Sequence, residues 1–92
     1  MNKCLKITVL IDPLQSFSYD MVQKFARKYQ LEGVVQLIDK SKIKIIVSGE
    51  KKQVDTFIDT IQKESAGINI QDLEIEPQLK DRDFRGVFRI IQ

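Results

Sequence analysis

The residues of this chain that could do acid, base or nucleophilic chemistry are few, and their types exclude several kinds of site. The sequence has no histidine and one cysteine, Cys4, so a zinc site of the usual kind has too few ligands and no imidazole can act as a general base. A catalytic thiolate needs an activating neighbour, and the sequence near Cys4 supplies none. We therefore predict no metal and no cofactor, and we interpret Cys4 as a small strand residue.

Charged residues form three groups, and each group has a plain structural interpretation. Asp55 and Asp59 lie one turn apart on a predicted helix, which is typical of a solvated surface. The segment from Lys80 to Arg85 mixes arginines and aspartates, whose charges compensate in a solvated connection. The third group consists of lysines: Lys40, Lys42, Lys44, Lys51 and Lys52. Acidic residues surround these lysines, and no aromatic RNA-recognition motif accompanies them, so we predict no nucleic-acid partner.

Length and net charge restrict the class of protein further. The 92 residues suffice for one small domain, 1–92, with a single core. A net charge of +2 is too small for an extended footprint on nucleic acid or on a membrane. The first apolar run is interrupted by Lys6 and ended by Asp12, so it is neither a signal peptide nor a membrane span. We expect a cytoplasmic protein without a membrane partner.

The loop before the first predicted helix is the candidate binding site. It contains Gln15, Ser16, Phe17, Ser18 and Tyr19. Backbone amides at a helix N-terminus attract anions whatever the side chains are, so one interpretation is a weak site for phosphate or another small anion. The plain alternative is a strand-to-helix connection in which Ser18 or Ser16 caps the helix.

Apolar periodicity predicts the elements that would position this loop. Alternating β-branched residues from Cys4 to Ile11 predict the first strand. Two apolar runs joined by a polar turn, Leu31 to Gly49, predict a hairpin, and an amphipathic helix is predicted on either side of it. Gln23 falls on the polar face of the first helix. Further strands are predicted from Ile68 to Ile75, with a β-bulge where Gln71 and Asp72 interrupt the alternation, and from Gly86 to Ile91.

The predicted order is β-α-β-β-α-β with an added short strand at the C-terminus. This order is typical of an α+β, ferredoxin-like sandwich, in which two helices cover one face of an antiparallel sheet. Because that fold hosts enzymes, RNA binders and regulatory modules, it determines no function by itself.

Segments around the hairpin resemble the acylphosphatase family, and the resemblance extends from Ile7 to Ile91. KFARKYQLEGVVQ is similar to the family's A-x-x-L-x-L-x-G-x-V segment, IKIIVSGEKKQVDTFIDTIQ to its V-x-I-x-x-x-G followed by a helix with V-x-x-F, and FRGVFRII to its terminal strand. The scaffold positions that match are Ala26, Tyr29, Leu31, Gly33, Val35, Ile43, Ile45, Gly49, Val54, Phe57, Phe88 and Ile90.

The resemblance also implies where a catalytic site would lie. Members of the family hydrolyse acyl phosphates with a loop, G-x-V-Q-G-V-x-F-R, whose amides and arginine hold the phosphate, and with an asparagine on the second strand that positions water. Counted from Gly33 without gaps, the arginine position falls at Tyr19 and the asparagine position at Leu37. Neither residue type is retained, and residues 12–18 replace the glycine-containing stretch. Loss of one such charge-stabilising donor typically slows a reaction a hundredfold or more.

Three hypotheses remain open from the sequence. The first is an acylphosphatase-like domain that lacks efficient hydrolysis and acts as a small binding or interaction module. The second is a divergent acylphosphatase whose alignment has slipped, or whose cation comes from Arg82, Arg85 or Arg27. The third is a module that associates with itself through an exposed sheet edge.

Overall fold

The computed structural model describes residues 2–11, 19–39, 42–64, 70–78 and 85–91, and five strands and two helices lie within these ranges. Their order confirms the predicted β-α-β-β-α-β arrangement with an added strand. No helix within these ranges is long and apolar enough to cross a membrane. The elements are β1 (Asn2–Ile11), α1 (Tyr19–Lys28), β2 (Glu32–Asp39), β3 (Lys42–Glu50), α2 (Lys51–Glu64), β4 (Ile70–Pro77) and β5 (Phe88–Ile91).

The strands form one sheet in the order β4-β1-β3-β2-β5. The first four strands of this order pair antiparallel, as predicted, whereas β5 pairs in parallel with β2. The direction of β5 follows from where β4 ends. Pro77, the last residue of β4, pairs with Leu5 near the start of β1. β2 begins at this same end of the sheet. A strand that starts from this end, as β5 does, therefore runs in the direction of β2.

The core lies between the helices and one face of the sheet, which we call the helix-covered face. α1 packs over β2 and β5, and α2 packs over β1 and β3, so β4 lies to the side of both helices. The predicted alternation in β3 is confirmed, since Ile43, Ile45 and Val47 all join this core. The opposite face of the sheet, which we call the second face, carries Ile46 of β3 and its pairing partner, Val34 of β2. The buried core residues are Leu5, Ile7, Val9, Val22, Ala26, Leu31, Val35, Ile43, Ile45, Val47, Val54, Phe57, Ile61 and Phe88.

Gly33 lies on β2, directly against the backbone of β3. Its φ of +146° is a backbone conformation that side chains rarely adopt. A Cβ atom at this position would lie 1.8 Å from the carbonyl oxygen of Ile46. The glycine of the hairpin motif is therefore required both by its backbone angle and by the neighbouring strand.

The predicted bulge in β4 is confirmed by the pairing with β1. Leu10 pairs with Asp72 and Ile11 pairs with Ile70, so Gln71 is an extra residue on β4. The strand boundaries differ slightly from those predicted, because β4 continues to Pro77 and β1 begins at Asn2. Residues 65–69, which include the predicted start of the fourth strand, lie outside the described residues.

Two lysines share the carboxylate of Asp55 near the start of α2. Lys3 Nζ on β1 donates to Oδ1 at 2.8 Å, and Lys51 Nζ donates to Oδ2 at 3.1 Å. These hydrogen bonds, first from Lys3 and then from Lys51, lower the pKa of Asp55 below its ordinary value of 3.8. The carboxylate therefore connects α2 to β1, which supports the surface interpretation of Asp55 and Asp59 over paired acid and base chemistry.

Acid should remove the contribution of Asp55 to stability. Because its pKa is lower in the folded chain, that contribution is complete above the unfolded pKa and is lost as pH falls through the folded pKa. We expect Asp55→Asn to lower the Tm slightly at neutral pH and to match the wild type in acid, below the folded pKa. Thermal melts followed by circular dichroism measure both. Asp59→Asn is the control, and an equal loss of Tm from Asp55→Asn at both pH values would contradict the assignment.

Candidate functional site

The candidate loop joins the end of β1 to the start of α1. Gln15, Ser16, Phe17 and Ser18 lie outside the described residues, so the predicted anion-binding loop stays a prediction. Tyr19 is the first residue of α1, and its side chain is also outside the described part. The flanks are the end of β1 at Ile11, the start of α1 at Tyr19, and Leu37 on β2.

Leu37 lies at the end of the sheet where the chain leaves β1. It pairs with Ile43 on β3, and Ile43 pairs on its other side with Val9, two residues before β1 ends. Leu37 shares the helix-covered face with Val35, since the two are separated by one residue along β2. We call this region, from Ile11 through Leu37 to Tyr19, the loop end of the sheet. The asparagine position implied by the family resemblance therefore belongs to the region that adjoins the predicted loop.

The sheet neighbours of Leu37 are apolar. Ile43 and Val35 are fully buried, whereas Leu37 itself is 42% exposed. A leucine side chain has no hydrogen-bond donor or acceptor, so it cannot orient a water molecule. The next residue along β2, Ile38, is 50% exposed and lies at a register shift, since Leu37 pairs with Ile43 and Asp39 pairs with Lys42. This end of β2 therefore presents apolar surface instead of an amide.

Arg27 and Arg85 lie toward the opposite end of the sheet. Arg27 is in the last turn of α1 and lines a shallow cleft of about 460 Å³ with Gly86 and Val87. Arg85 directly precedes Gly86, whose N–H donates at 2.7 Å to the Glu32 carboxylate at the start of β2. Eight residues of helix, a rise of about 12 Å, separate Arg27 from Tyr19. The structure does not bring either arginine to the loop end.

Arg89 is also directed away from the loop end. It pairs with Val34 on β2, and this register places its side chain on the second face, opposite the helices. The arginines in the described part of the chain are therefore all remote from the start of α1. Arg82, the remaining arginine proposed as a replacement cation, lies outside the described residues.

Gln23 has a role that the sequence pattern missed. The helical periodicity placed it on the polar face of α1, but its side chain is half-buried and Nε2 donates to the carbonyl oxygen of Phe88 at 3.0 Å. The prediction was wrong because β5 lies below this flank of α1, and sequence periodicity does not show which strand lies there. Gln23 therefore joins α1 to β5, and its amide is occupied by a backbone partner.

Comparison with known proteins decides the family. A sequence model of the acylphosphatase family matches residues 18–90. The chain belongs to the acylphosphatase family. The match begins after most of the predicted loop and includes both Tyr19 and Leu37. No curated protein sequence matches this acylphosphatase-family chain significantly.

Solved structures show the same fold at low sequence identity. The acylphosphatase from Coxiella burnetii has a TM-score of 0.80 and 19% identity, over 97% of this chain and 92% of that one. The acylphosphatase from Bacillus subtilis has a TM-score of 0.74 and 21% identity, over 99% and 97% of the two chains. Full-length HypF in its phosphate- and nucleotide-bound form has a TM-score of 0.78 and 21% identity, over 100% of this chain and 12% of HypF. The acylphosphatase fold thus occurs both in chains of this size and within a larger protein.

The fold should tolerate an amide at Leu37. We expect Leu37→Asn to change the free energy of unfolding by less than about 1 kcal/mol, because 42% of this side chain is exposed and water can hydrate the new amide. Val35→Asn is the matched control on the same strand and face. Since Val35 is fully buried, we expect that control to cost about 3 kcal/mol. Urea unfolding compares the two, and equal losses would mean that the core requires leucine at position 37.

Proposed function

We propose that this acylphosphatase-family chain lacks efficient acyl-phosphate hydrolysis and acts as a small binding or interaction module. The observation that carries the proposal is Leu37. It occupies the position at which the family resemblance implies a water-positioning asparagine, and it borders the loop end of the sheet. Because leucine cannot hydrogen-bond to water, the attacking water would have no side chain of this kind to orient it.

The arginine position gives a second, separate support. The resemblance assigns that position to Tyr19, and a phenol cannot replace the bidentate, charged contact between a guanidinium group and phosphate. Arg27 and Arg85 lie toward the opposite end of the sheet, and Arg89 projects from the second face. Within the described part of the chain, no arginine therefore stands in for the missing one.

An anion at the start of α1 is compatible with the proposal. Backbone amides at a helix N-terminus attract phosphate without an arginine, although the binding is then weak. We propose Gln15, Ser16, Phe17, Ser18 and Tyr19 as the residues that an anion would contact. A titration with inorganic phosphate, followed by the amide NMR signals of these residues, measures this directly. Signals that move together and saturate would support the site, and unchanged signals would exclude it.

The second candidate function is a divergent acylphosphatase that hydrolyses acyl phosphates to carboxylate and phosphate. Family membership over residues 18–90 favours it. In that case the cation comes from a different arginine. Arg82→Ala would then abolish the activity, whereas Arg85→Ala and Arg27→Ala change arginines toward the opposite end of the sheet and would abolish it only if the chain rearranged. If the chain hydrolyses acyl phosphate and none of the three variants loses activity, this version of the second candidate fails.

The experiment that separates the two candidates is hydrolysis of benzoyl phosphate by the purified chain. The acylphosphatase from Bacillus subtilis, which shares the fold, serves as the positive control. The first candidate requires slow or undetectable turnover beside that control, and the second requires turnover that depends on one of the arginines.

A further inference from the structure

The two edge strands of the sheet carry side chains of complementary character. β4 and β5 end the strand order, so each has one hydrogen-bonded neighbour within the described sheet. The outer edge of such a strand presents backbone N–H and C=O groups that can pair with another strand. β4 is eight residues long and β5 is four.

The pairing register aligns the side chains of the two edges in common rows. A row on the helix-covered face ends in isoleucine at both edges, and the adjacent row on the second face ends in glutamate at β4 and in arginine at β5. The first row is Ile75, Ile7, Ile45, Val35 and Ile90. The second row is Glu76, Lys6, Ile46, Val34 and Arg89.

Three of the four side chains at the ends of these rows are exposed, and the fourth, Ile90, is partly buried. Glu76 and Arg89 are exposed, and the described part of the chain gives neither of them an ion-pair partner. Ile75 is 38% exposed because β4 lies to the side of both helices. Ile90 is partly buried against the core. Each edge therefore carries one isoleucine and one charged residue. The two isoleucines lie in the same row of the sheet, and the two charges, which are opposite in sign, lie in the adjacent row.

We infer that these edges bind a second copy of this chain, with β5 of one copy pairing along β4 of the next. β4 runs antiparallel to β1, whereas β5 runs in the direction of β2 and therefore of β1. Continuing the sheet from one copy to the next therefore makes β5 antiparallel to β4. Ile90 then lies opposite Ile75, and Arg89 lies opposite Glu76. Opposite charges and apolar pairs at directly facing positions stabilise antiparallel strands.

Pairing of like edges is less favourable. If β4 paired with β4 of another copy with Ile75 facing Ile75, Glu74 of each copy would face Glu76 of the other. The contact would then contain two repulsive glutamate pairs. If β5 paired with β5 around Ile90, Arg89 would face Ile91 and would gain no opposite charge. Charge complementarity therefore favours the unlike pair. Because that contact joins two different surfaces, it does not close into a dimer and adds copies in sequence.

The association should be weak and sensitive to salt. β5 is short, Pro77 and the glutamates limit the edge of β4, and a four-residue ladder is far below the roughly 1,200 Å² of a stable interface. The charged pair is exposed, so salt screens it. This inference goes beyond the proposed function, because the paired residues, 74–77 of β4 and 88–91 of β5, do not include Ile11, Leu37 or Tyr19 of the loop end, and the absence of catalysis would not affect it.

A charge exchange tests the inference on the full chain. Sedimentation velocity over a range of concentrations should give a wild-type mass that rises past the dimer at low salt and falls at high salt. We expect Glu76→Lys and Arg89→Glu each to weaken association about tenfold, because like charges then face each other across the contact. An equimolar mixture of the two variants should associate again, since every edge in the mixture finds an opposite charge.

Matched controls separate this effect from general charge and from misfolding. Asp59→Lys and Lys63→Glu make the same charge changes at exposed positions on α2 and should associate like the wild type. Glu76→Gln removes the charge without placing a second cation beside Lys6, and circular dichroism confirms that each variant is folded. A wild-type chain that stays monomeric at low salt would overturn the inference. A dimer that does not grow, or a mixture that fails to associate, would overturn it too.

Discussion

Replacing Gly33 by alanine is expected to lower the free energy of unfolding by about 3 kcal/mol or more. The φ of +146° is strained for any residue with a Cβ, and that atom would lie 1.8 Å from the Ile46 carbonyl oxygen. The obstacle is backbone, so β2 and β3 must separate or shift to make room. Urea unfolding followed by circular dichroism measures the loss, and a variant that does not fold would give a disordered spectrum.

Gly86 provides the control for this prediction. Its φ of +68° is also unfavourable for alanine, but no atom of the described residues lies within 4 Å of a Cβ placed there. Gly86→Ala should therefore cost about 1 kcal/mol, the cost of the backbone conformation alone. Equal losses from the two substitutions would mean that the contact with Ile46 contributes nothing. The Ile46 carbonyl oxygen would then not explain why the hairpin motif contains glycine at position 33.

Local patterns predicted most of the fold. Alternation along β3 is a property of neighbouring residues, so the sequence pattern is sufficient to assign Ile43, Ile45 and Val47 to the core. The interruption at Gln71 likewise indicated the bulge, because an extra residue reverses the alternation. The parallel direction of β5 could not be predicted in this way, since it depends on the end of the sheet at which β4 stops.

The candidate site was less accessible to sequence reasoning. Counting from Gly33 assigned Leu37 to a family position, and the strand register places that residue at the loop end. Periodicity could not show that Gln23 bonds to Phe88, nor that Arg27 lies near Gly86, because both depend on how α1 packs against β5. The roles of Gln15 to Ser18 stay predictions, as these residues lie outside the described part.

The purified chain is expected to hydrolyse benzoyl phosphate at least a hundredfold more slowly than the Bacillus subtilis acylphosphatase. Loss of one preorganised donor of this kind typically costs about 3 kcal/mol of transition-state stabilisation. Here both assigned positions are changed, to Tyr19 and Leu37, so the charge on the phosphate and the position of the water are both affected. The two losses need not add, because groups that act on one transition state are coupled.

Leu37→Asn serves as a check on this prediction. If the arginine contact is also absent, restoring the amide alone should leave turnover within a few-fold of the wild type. The reason is that groups acting on one transition state are coupled, so one of them recovers little rate without the other. We expect this variant to be about as stable as the wild type, because 42% of the Leu37 side chain is exposed. The turnover of the two proteins can therefore be compared directly. A large gain in turnover from this single change would mean that a cation already serves the site.

The most direct test of the account is the rate of benzoyl phosphate hydrolysis by the purified wild-type chain, measured beside the Bacillus subtilis enzyme under identical conditions. We expect a rate at least a hundredfold below that of the Bacillus subtilis enzyme, and no change in Arg27→Ala, Arg82→Ala or Arg85→Ala. Turnover near that of the Bacillus subtilis enzyme, lost in one of these variants, would contradict it.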